Sequence, residues 1–337
     1  MRDEAERERV DAADAGFDVG DVRAARRRIA DLVAPSPLIR SAPLSERLGA
    51  QVWLKLETLQ PPGSFKVRGA ANKLLSLTQA ERDAGVIASS AGNHGAAVAY
   101  IAGLLGIRAT ICVPAAVDPV KLAAIRGYGA EAVAEGRTFD EAVLVSLRLQ
   151  AERGLTYVHP FDDPVVMAGQ GTIALEILDD LPQADAIVTA VSGGGLAGGV
   201  ALAAKAVKPG LRTIGVSAER AAAMDASVRA GRLVDVPDLD TLASVLAGGL
   251  GDENRYSFPA CRRFIDEWVQ VTEPEIAAAM VFALRYQHVL AEGGGAVGVA
   301  AALAGRLDGA GSTIAIVVSG GNVDPKLVLS LVESTAG

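Results

Sequence analysis

The sequence predicts an α/β fold with mostly parallel β-sheet, and three observations support this prediction. Short apolar runs alternate with longer helix-compatible stretches along the chain, which is typical of βαβ units. Half of the 337 residues are hydrophobic, which is enough for a large core, and aromatic residues make up only 4%. Ala, Val, Leu and Gly dominate instead, and such a composition suits helices packed closely against a sheet of small aliphatic side chains.

The predicted elements follow this alternation in order. The predicted strands are the apolar runs QVWLKLE (51–57), GVIASS (85–90), ATICVP (109–114), AIVTAVSGGG (186–195), TIGVSAE (213–219) and TIAIVVSGGN (313–322). The predicted helices lie at residues 20–33, 65–77, 92–106, 119–128, 138–153, 169–181, 196–207, 273–291 and 295–307. Several strands end in Gly, Ser or Asn, and in parallel sheets ligands bind where strands end. These strand ends are therefore the candidate site loops.

The pattern also predicts how the chain is divided. Residues 1–18 are charged almost throughout and are predicted to form a disordered tail. Residues 76–160 contain two βα-like units and a short strand, TYVHP, and are predicted to form a small domain. We expect residues 19–75 and 161–337 to form the large domain into which it is inserted.

Charge and cysteine content exclude several classes of function. The net charge is −8, and an acidic surface argues against nucleic acid or an anionic membrane as the main partner. Cys112 and Cys261 lie far apart without metal-like spacing, so neither a disulfide framework nor a zinc site is expected. The chain shows neither an apolar signal segment nor an apolar run long enough to span a bilayer. A cytoplasmic location is therefore expected.

The most informative segment is KLETLQPPGSFKVRGA (55–70). Its Pro-Pro-Gly predicts a sharp turn, and Ser64 predicts an N-cap for a helix that begins near Phe65. Lys66 then lies in the first helical turn, where the helix dipole disfavours a cationic amine and makes a neutral, nucleophilic lysine easier to hold. A lone lysine is more often a solvated surface residue, so the other segments have to support this interpretation.

Three further segments are candidate ligand loops. In SSAGNHGAAVAY (89–100), the amides of a helix start can bind a carboxylate, and Asn93 either donates to a ring oxygen or is a structural turn residue. In AVSGGGLAGGVALAAK (190–205), bare backbone amides can surround a phosphate, although a tight structural turn is an alternative. In IVVSGGNVD (316–324), Ser319 either faces a ring nitrogen or is an ordinary strand-end serine.

In order and approximate spacing, these four segments resemble the fold-type II pyridoxal-phosphate (PLP) enzymes. The resemblance extends over about residues 22–329. It implies the tryptophan synthase β-like fold, in which helices flank two open, twisted, mostly parallel sheets. Within this superfamily, the chain looks like the serine/threonine dehydratase and serine racemase branch.

The resemblance implies a role for each matching position. Lys66 aligns with the lysine that holds PLP as a Schiff base and acts on the substrate Cα proton, and Phe65 with the residue beside the cofactor ring. Asn93 aligns with the residue at the ring oxygen, and Ser319 with the residue at the pyridine nitrogen. The phosphate cradle aligns with Gly193, Gly194, Gly195 and Leu196, and the substrate-carboxylate loop with Ser90, Ala91, Gly92, Asn93 and His94.

The same branch implies a divalent-cation site. Its ligands are a glutamate, a backbone carbonyl four residues on, and an aspartate two residues beyond that. Here they correspond to Glu219, the carbonyl of Ala223 and Asp225. Oxygen ligands of this kind suit Mg²⁺ or Ca²⁺, although an exposed Glu and Asp without a metal is the alternative.

One departure separates the activities within this branch. The racemases carry a serine immediately before the Gly-Asn-His of the carboxylate loop, whereas this chain has Ala91, as dehydratases commonly do. Racemisation needs proton donors on both faces of the substrate carbon, and alanine cannot transfer a proton. The resemblance therefore implies elimination: conversion of a β-hydroxy amino acid such as L-threonine or L-serine to a 2-oxo acid and ammonia.

Several questions about the site and the biological role stay open. The alternatives to a dehydratase are a serine racemase, a β-replacement synthase of the same fold, and a non-catalytic metabolite-binding protein. Glu292 and Arg137 are candidate pocket residues, and Glu292 is alternatively a helix cap.

Segments 215–236 and 246–258 resemble threonine-dehydratase-like enzymes of hydroxyectoine utilisation. The chain ends soon after the Ser319 motif, so no C-terminal regulatory domain is expected, and enzymes resembling it are commonly homodimers.

Overall fold

The computed structural model of the chain describes residues 15–237, 239–251 and 253–334. The strands in these residues are β1 (Leu38–Arg40), β2 (Gln51–Leu56), β3 (Val86–Ser89), β4 (Ala109–Val113), β5 (Glu131–Ala134), β6 (Thr156–Tyr157), β7 (Ala186–Ala190), β8 (Arg212–Ala218), β9 (Glu267–Val271) and β10 (Thr313–Val318). They form a six-stranded sheet in the order β1-β2-β10-β7-β8-β9 and a four-stranded sheet in the order β5-β4-β3-β6. All neighbouring strands are parallel except β1 and β2. The predicted α/β fold with two mostly parallel sheets is confirmed.

Helices cover both sheets. In chain order they are α1 (Val19–Ile29), α2 (Ala42–Leu48), α3 (Lys66–Leu75), α4 (Gln79–Ala84), α5 (Asn93–Leu105), α6 (Pro119–Gly127), α7 (Phe139–Arg153), α8 (Pro164–Asp180), α9 (Gly195–Val207), α10 (Ala223–Ala230), α11 (Ser257–Phe264), α12 (Glu273–Gln287), α13 (Gly293–Leu303) and α14 (Pro325–Ser334). None of the helices in the described residues is long and apolar enough to cross a membrane.

Strand β10 shows why the large sheet is apolar throughout. Ile314 and Ile316 pack into one hydrophobic cluster with residues of α12 and α13. Ala315 and Val317, which point to the opposite face, pack into a second cluster with residues of α1, α8 and α9. A parallel strand covered on both faces has no polar face, which explains the unbroken apolar run in the sequence.

The smaller sheet is built from one continuous part of the chain. Its four strands all lie between Val86 and Tyr157, inside the segment 76–160 that the sequence predicts as the small domain. The boundaries of the two domains stay a prediction. Of the predicted tail, residues 1–14 lie outside the described residues. Ala15 and Phe17, which belong to the predicted tail, are buried in the core.

Helix α3, which carries Lys66, packs closely against α8 at two glycines, Gly69 and Gly169. A Cβ atom on Gly69 would lie 2.7 Å from a methyl carbon of Val166, and one on Gly169 would lie 2.8 Å from the Cα of Gly69. The two helix backbones can approach this closely only because both positions are glycine. This contact fixes α3 to the large sheet's helical layer and holds its first turn at the edge of the cleft.

Candidate active site

Backbone contacts fix the start of α3 to the end of β10. The N–H of Phe65 donates to the carbonyl of Ser319 at 3.0 Å, and Ser64 forms a β-bridge with Gly320. The predicted helix start near Phe65 is confirmed, with the first helical residue at Lys66. The predicted N-cap is wrong, because the Ser64 hydroxyl makes no capping hydrogen bond and lies buried without a partner. Sheet pairing, rather than a cap, therefore holds this turn.

The Lys66 amine lies in surroundings that favour its neutral form. Its Nζ donates to the carbonyl of Pro160 at 2.6 Å and lies 5.2 Å from the centre of the Phe65 ring. The surrounding protein displaces water from the ammonium and lowers the pKa of Lys66 to about 8, with the Glu292 carboxyl acting in the opposite direction. The residue as a whole is half-buried. A lysine with a lowered pKa gives up its proton more readily than an exposed lysine, which nucleophilic and proton-transfer chemistry require.

Two residues further along α3, Arg68 is the centre of a closed ion cluster. Its guanidinium contacts Glu57 at 2.7 Å and Glu176 at 2.5 Å, and Lys55 contacts Glu176 at 2.6 Å. Ser36 completes the set: its hydroxyl donates to Glu57 and its carbonyl accepts from Lys55. Since two cations meet two carboxylates, the buried cluster is neutral overall.

The segment 90–94 forms the start of α5. Gly92 is the N-cap residue, and its N–H donates to the Ser90 hydroxyl at 3.2 Å. The first amides of α5 have no carbonyl partner within the helix and are available to an anion. Burial, followed by the nearby Lys66 charge, lowers the pKa of His94 to about 3, so its ring is neutral. One ring nitrogen of His94 contacts the Val158 carbonyl at 2.8 Å, and the other has no partner.

Asn93 has a fixed amide orientation. Asn322 Nδ2 donates to the carbonyl of Pro62 at 2.8 Å, and because a carbonyl only accepts, this contact fixes which atom of Asn322 is nitrogen. The same Nδ2 donates to Asn93 Oδ1 at 2.7 Å, so Asn93 Nδ2 points to Glu292 Oε1, 2.6 Å away. An amide nitrogen carries two hydrogens, and Asn93 therefore keeps one to offer to a ligand.

Glu292 is a buried carboxyl with one unused oxygen. The residue is 4% exposed, its Oε1 accepts from Asn93, and its Oε2 has no partner. Burial raises the pKa of Glu292 to about 7, and its contact with Asn93 reduces this shift. Glu292 precedes α13, but its side chain makes no capping hydrogen bond, so the structure does not support the helix-cap alternative.

The glycine-rich turn between β7 and α9 is closely packed against a neighbouring loop. Gly194 has φ +87°, a left-handed conformation that favours glycine. A Cβ on Gly195 would lie 2.7 Å from the carbonyl oxygen of Phe161, so a side chain here would push the loop away. With Leu196, these residues begin α9, whose first amides lack intrahelical partners. The arrangement can accept a phosphate.

Ser319 lies at the end of β10, next to the contacts just described. It is 5% exposed, and its carbonyl accepts from Phe65. The next residue, Gly320, leaves room for two side chains. A Cβ there would overlap the Glu292 carboxyl and would lie 3.2 Å from Asn93 Nδ2. The four predicted segments are therefore connected: Phe65 contacts Ser319, Gly320 lies next to Asn93, and the loop of Pro160 and Phe161 joins Lys66 to the glycine-rich turn.

The predicted metal ligands and Arg137 do not join this group of contacts. The structure does not support the predicted metal site, because the Asp225 carboxylate accepts from Arg229 and Gln270, each at 2.6 Å, and Glu219 is exposed. Among the described residues, no group of three or more His, Cys, Asp or Glu side chains could hold a metal ion. The side chain of Arg137 is 91% exposed and contacts Glu141, so Arg137 does not line the cleft.

The loop that follows β6 also contributes contacts, and no motif in the sequence predicts it. Pro160 contacts Lys66, Phe161 packs against the glycine-rich turn, and Asp162 accepts from three backbone amides near α11. The available signal was the position of this segment, since it follows the carboxyl end of a parallel strand, where ligand-binding loops lie.

Comparisons with known proteins agree with this arrangement. Residues 29–320 match the family model described as pyridoxal-phosphate dependent enzyme. The chain is 45% identical over 308 residues to an L-threonine ammonia-lyase of Thermotoga maritima, covering 91% of this chain and 76% of the relative. It is 40% identical over 319 residues to a catabolic L-threonine dehydratase of Staphylococcus aureus, covering 94% and 92%.

Solved structures give the same fold. Maize serine racemase superposes with a TM-score of 0.89 at 34% identity, covering 95% of this chain and 98% of that chain. The processed form of a threonine deaminase from Solanum lycopersicum superposes with a TM-score of 0.88 at 36% identity, covering 95% and 88%. The family match extends over most of the chain; it includes the first three candidate segments in full and the fourth as far as Gly320. The chain belongs to the pyridoxal-phosphate dependent enzyme family.

Proposed function

We propose that this protein is a PLP-dependent ammonia-lyase that converts a β-hydroxy amino acid, such as L-threonine or L-serine, to a 2-oxo acid and ammonia. The observation that carries the proposal is the combination of Lys66, whose amine has a lowered pKa and contacts the Pro160 carbonyl, and Ala91, which cannot supply a second proton donor. Relatives at 40–45% identity bear the names of threonine ammonia-lyases and dehydratases.

The residues around the cleft fit the cofactor. The glycine-rich turn (193–196) offers helix-start amides to a phosphate, and glycine at 195 lets this turn pack directly against the backbone of Phe161. Asn93 offers its remaining amide hydrogen to a ring oxygen, Ser319 would lie at the ring nitrogen, and Phe65 beside the ring. Lys66 would hold the cofactor covalently through its amine. When bound, PLP withdraws electrons from the substrate and makes its Cα proton acidic.

The protein's own residues would then bind the substrate and move its proton. The amides of the substrate-carboxylate loop (90–94) would orient the substrate through its carboxylate. The Lys66 amine, freed when the substrate amine takes its place on the cofactor, would accept the proton from Cα. The electron pair left at Cα would form a double bond to Cβ as the bond between Cβ and the hydroxyl oxygen breaks, and the hydroxyl would take up one proton, which balances the one removed from Cα, and leave as water. The released enamine tautomerises and reacts with water, which gives the 2-oxo acid and ammonia. A neutral serine at the ring nitrogen favours this early loss of the β-substituent, because it does not keep the nitrogen protonated.

The proposal is tested with a panel of β-hydroxy amino acids, measuring 2-oxo acid and ammonia together. We expect equal amounts of both products from L-threonine or L-serine. Formation of neither product from any member of the panel would refute the lyase. Running the assay with Mg²⁺ and with a chelator tests the predicted cation at Glu219, Ala223 and Asp225, which the structure does not support.

Serine racemase is the second candidate, and the structural likeness to maize serine racemase favours it. Chiral analysis of the serine recovered from the assay separates the two activities. A racemase converts L-serine to D-serine and releases no ammonia, whereas a lyase releases ammonia. A β-replacement synthase would instead require a second, nucleophilic substrate such as sulfide.

The biological setting is part of the proposal. Use in hydroxyectoine breakdown rests on the resemblance of segments 215–236 and 246–258, and it predicts higher activity on a β-hydroxy amino acid other than threonine. A homodimer is proposed because enzymes that resemble this chain are commonly homodimers, and a cytoplasmic location because Cys112 and Cys261 show no spacing typical of disulfides. Light scattering of the purified protein and localisation of a tagged chain test these two points.

A further inference from the structure

One carboxylate outside the predicted site holds three backbone amides at once. Asp162 Oδ1 accepts from the N–H groups of Tyr256 and Ser257, and Oδ2 accepts from that of Arg255, each at 2.8 Å. These amides lie at the start of α11, where the N–H groups lack intrahelical partners and an anion is stabilised by the helix dipole. Asp162 therefore fixes where α11 begins.

The start of α11 in turn holds the glycine-rich turn. The Ser257 hydroxyl lies 2.6 Å from the carbonyl oxygen of Gly193, and the Cys261 thiol lies 3.4 Å from that of Gly194. Both side chains are fully buried, and burial raises the pKa of Cys261 to about 12, so the thiol keeps its hydrogen and stays a donor. Two carbonyls of the turn are thus held by one helix.

Fixing the direction of a carbonyl also fixes the direction of the N–H group of the next residue. In a trans peptide the C=O and the following N–H lie in one plane and point in opposite directions. Fixing the Gly193 and Gly194 carbonyls against α11 therefore directs the N–H groups of Gly194 and Gly195 away from α11. On the proposed function, these amides bind the cofactor phosphate.

The loop that carries Asp162 also contacts the lysine. Pro160 accepts a hydrogen bond from Lys66 Nζ, and the ring of Phe161 packs against Gly193. The ring of His159 accepts from the N–H of Asp162 at 2.8 Å, which holds the loop in this conformation. The loop of residues 159–162 therefore contacts both Lys66, the proposed cofactor anchor, and the glycine-rich turn, the proposed phosphate site.

We propose that Asp162 is a positioning residue for cofactor binding: it sets the start of α11, and through Ser257 it orients the amides that bind the phosphate. The inference rests on the proposed function, because it assumes PLP as the ligand. Asp162 itself does not touch the phosphate in this account.

The test compares Asp162→Asn with the neighbouring Asp163→Asn. Asp163 is a matched control, because it also accepts from backbone amides, at the start of α8, and forms an ion pair with Lys73, but these partners lie on α8 and α3 rather than on α11. Holoenzyme is dialysed free of cofactor and titrated with PLP, following the absorbance of the bound cofactor. We expect the PLP dissociation constant to rise about 10- to 100-fold in Asp162→Asn and less than about 2-fold in Asp163→Asn.

A second variant shows whether the effect passes through the turn. Ser257→Ala removes the hydroxyl at the Gly193 carbonyl, and we expect it to weaken PLP binding by a similar factor. The PLP dissociation constant of the double variant should not exceed the larger of the two single-variant values, since both substitutions act on one contact. The ³¹P resonance of bound PLP should move in both variants and not in Asp163→Asn.

Several outcomes would overturn the inference. Equal PLP affinity in Asp162→Asn and Asp163→Asn would do so, as would independent, multiplying effects of the Asp162 and Ser257 variants. If Asp162→Asn fails to fold, as circular dichroism would show, an unchanged PLP affinity in Ser257→Ala overturns the inference by itself. A wild-type protein that binds no PLP would instead refute the proposed function.

Discussion

Lys66 and Arg68 lie two residues apart on α3, and their surroundings differ in charge balance. Arg68 is fully buried and contacts both Glu57 and Glu176, so every charge in its cluster has a partner. Lys66 has only a neutral carbonyl within hydrogen-bond distance, and the neighbouring Glu292 tends to hold its own proton. The paired charges hold the helix in place, and the unpaired amine is left available for chemistry.

The two buried glutamates show the same difference. Arg68 and Lys55 hold the pKa of Glu176 below its usual range, although burial acts against them. Burial raises the pKa of Glu292 to about 7, because its partner Asn93 carries no charge. Burial alone therefore does not determine the state of a carboxyl in this protein. The presence of a cationic partner does.

The largest effect is expected at the unpaired amine. Lys66→Ala removes the proposed base and cofactor anchor, and we expect kcat/KM for L-threonine to fall roughly a thousandfold or more. Lys73→Ala, near the other end of α3, is the matched control and should retain most of the activity, because Lys73 forms an ion pair with Asp163 outside the cleft. Comparable losses in both variants would contradict the distinct role of Lys66.

Breaking the closed cluster should act on stability. Arg68→Met leaves two buried carboxylates without their shared cation, and we expect the free energy of unfolding to fall by about 3 to 5 kcal/mol. Arg26→Met breaks the exposed pair with Asp179 and should cost about 1 kcal/mol or less. Urea unfolding of both variants measures the difference. A cost for Arg68→Met no larger than that for Arg26→Met would show that the cluster does not hold the helix.

The raised pKa of Glu292 predicts a pH-dependent stability. Folded protein keeps this proton up to about pH 7, whereas an ordinary carboxyl releases it near 4.5. The favourable contribution is therefore complete below pH 4.5 and is lost as the pH rises to about 7, by at most about 3 kcal/mol. Glu292→Gln should lack this dependence. Urea unfolding of cofactor-free protein across this range tests it, and parallel curves for wild type and variant would contradict the assignment.

The smallest effect is expected at residue 91, where a substitution tests whether Lys66 is the single residue that transfers a proton at the substrate Cα. Ala91→Ser introduces a hydroxyl before the Gly-Asn-His of the carboxylate loop, and we expect a rise in the ratio of D-serine formed to ammonia released. Ala91→Gly is the control, since it adds no proton donor. Chiral chromatography measures the ratio. An equal ratio in the two variants would mean that residue 91 does not supply the second proton.

The sequence predicts the central strands well and the edges poorly. All six apolar runs form strands, and each of these strands, such as β7 and β10, has a neighbouring strand on both sides. The missed strands β1, β5 and β9 are all edge strands. Their side chains are largely part-buried or exposed, as in Glu131–Ala134, so the apolar pattern that marks a buried strand is absent.

The same limit applies to the candidate site. Local patterns were enough to select Lys66, Asn93 and the glycine-rich turn, because a turn, a helix start and a glycine-rich segment can each be predicted from adjacent residues. The role of Glu292 could not be decided, since its partner Asn93 is 199 residues away in the chain. Asp162 was missed for a similar reason: its contacts depend on how a distant helix, α11, packs against the glycine-rich turn.

The most direct test of the difference between Lys66 and its neighbours is to trap the cofactor. Reducing the holoenzyme with borohydride converts a carbon–nitrogen double bond between PLP and a lysine to a stable single bond, and peptide mass spectrometry then locates the modified residue. We expect the phosphopyridoxyl group on Lys66, and none on Lys55, which is buried and paired with Glu176, or on Lys73. Modification of Lys55 or Lys73 with Lys66 unmodified would contradict the account.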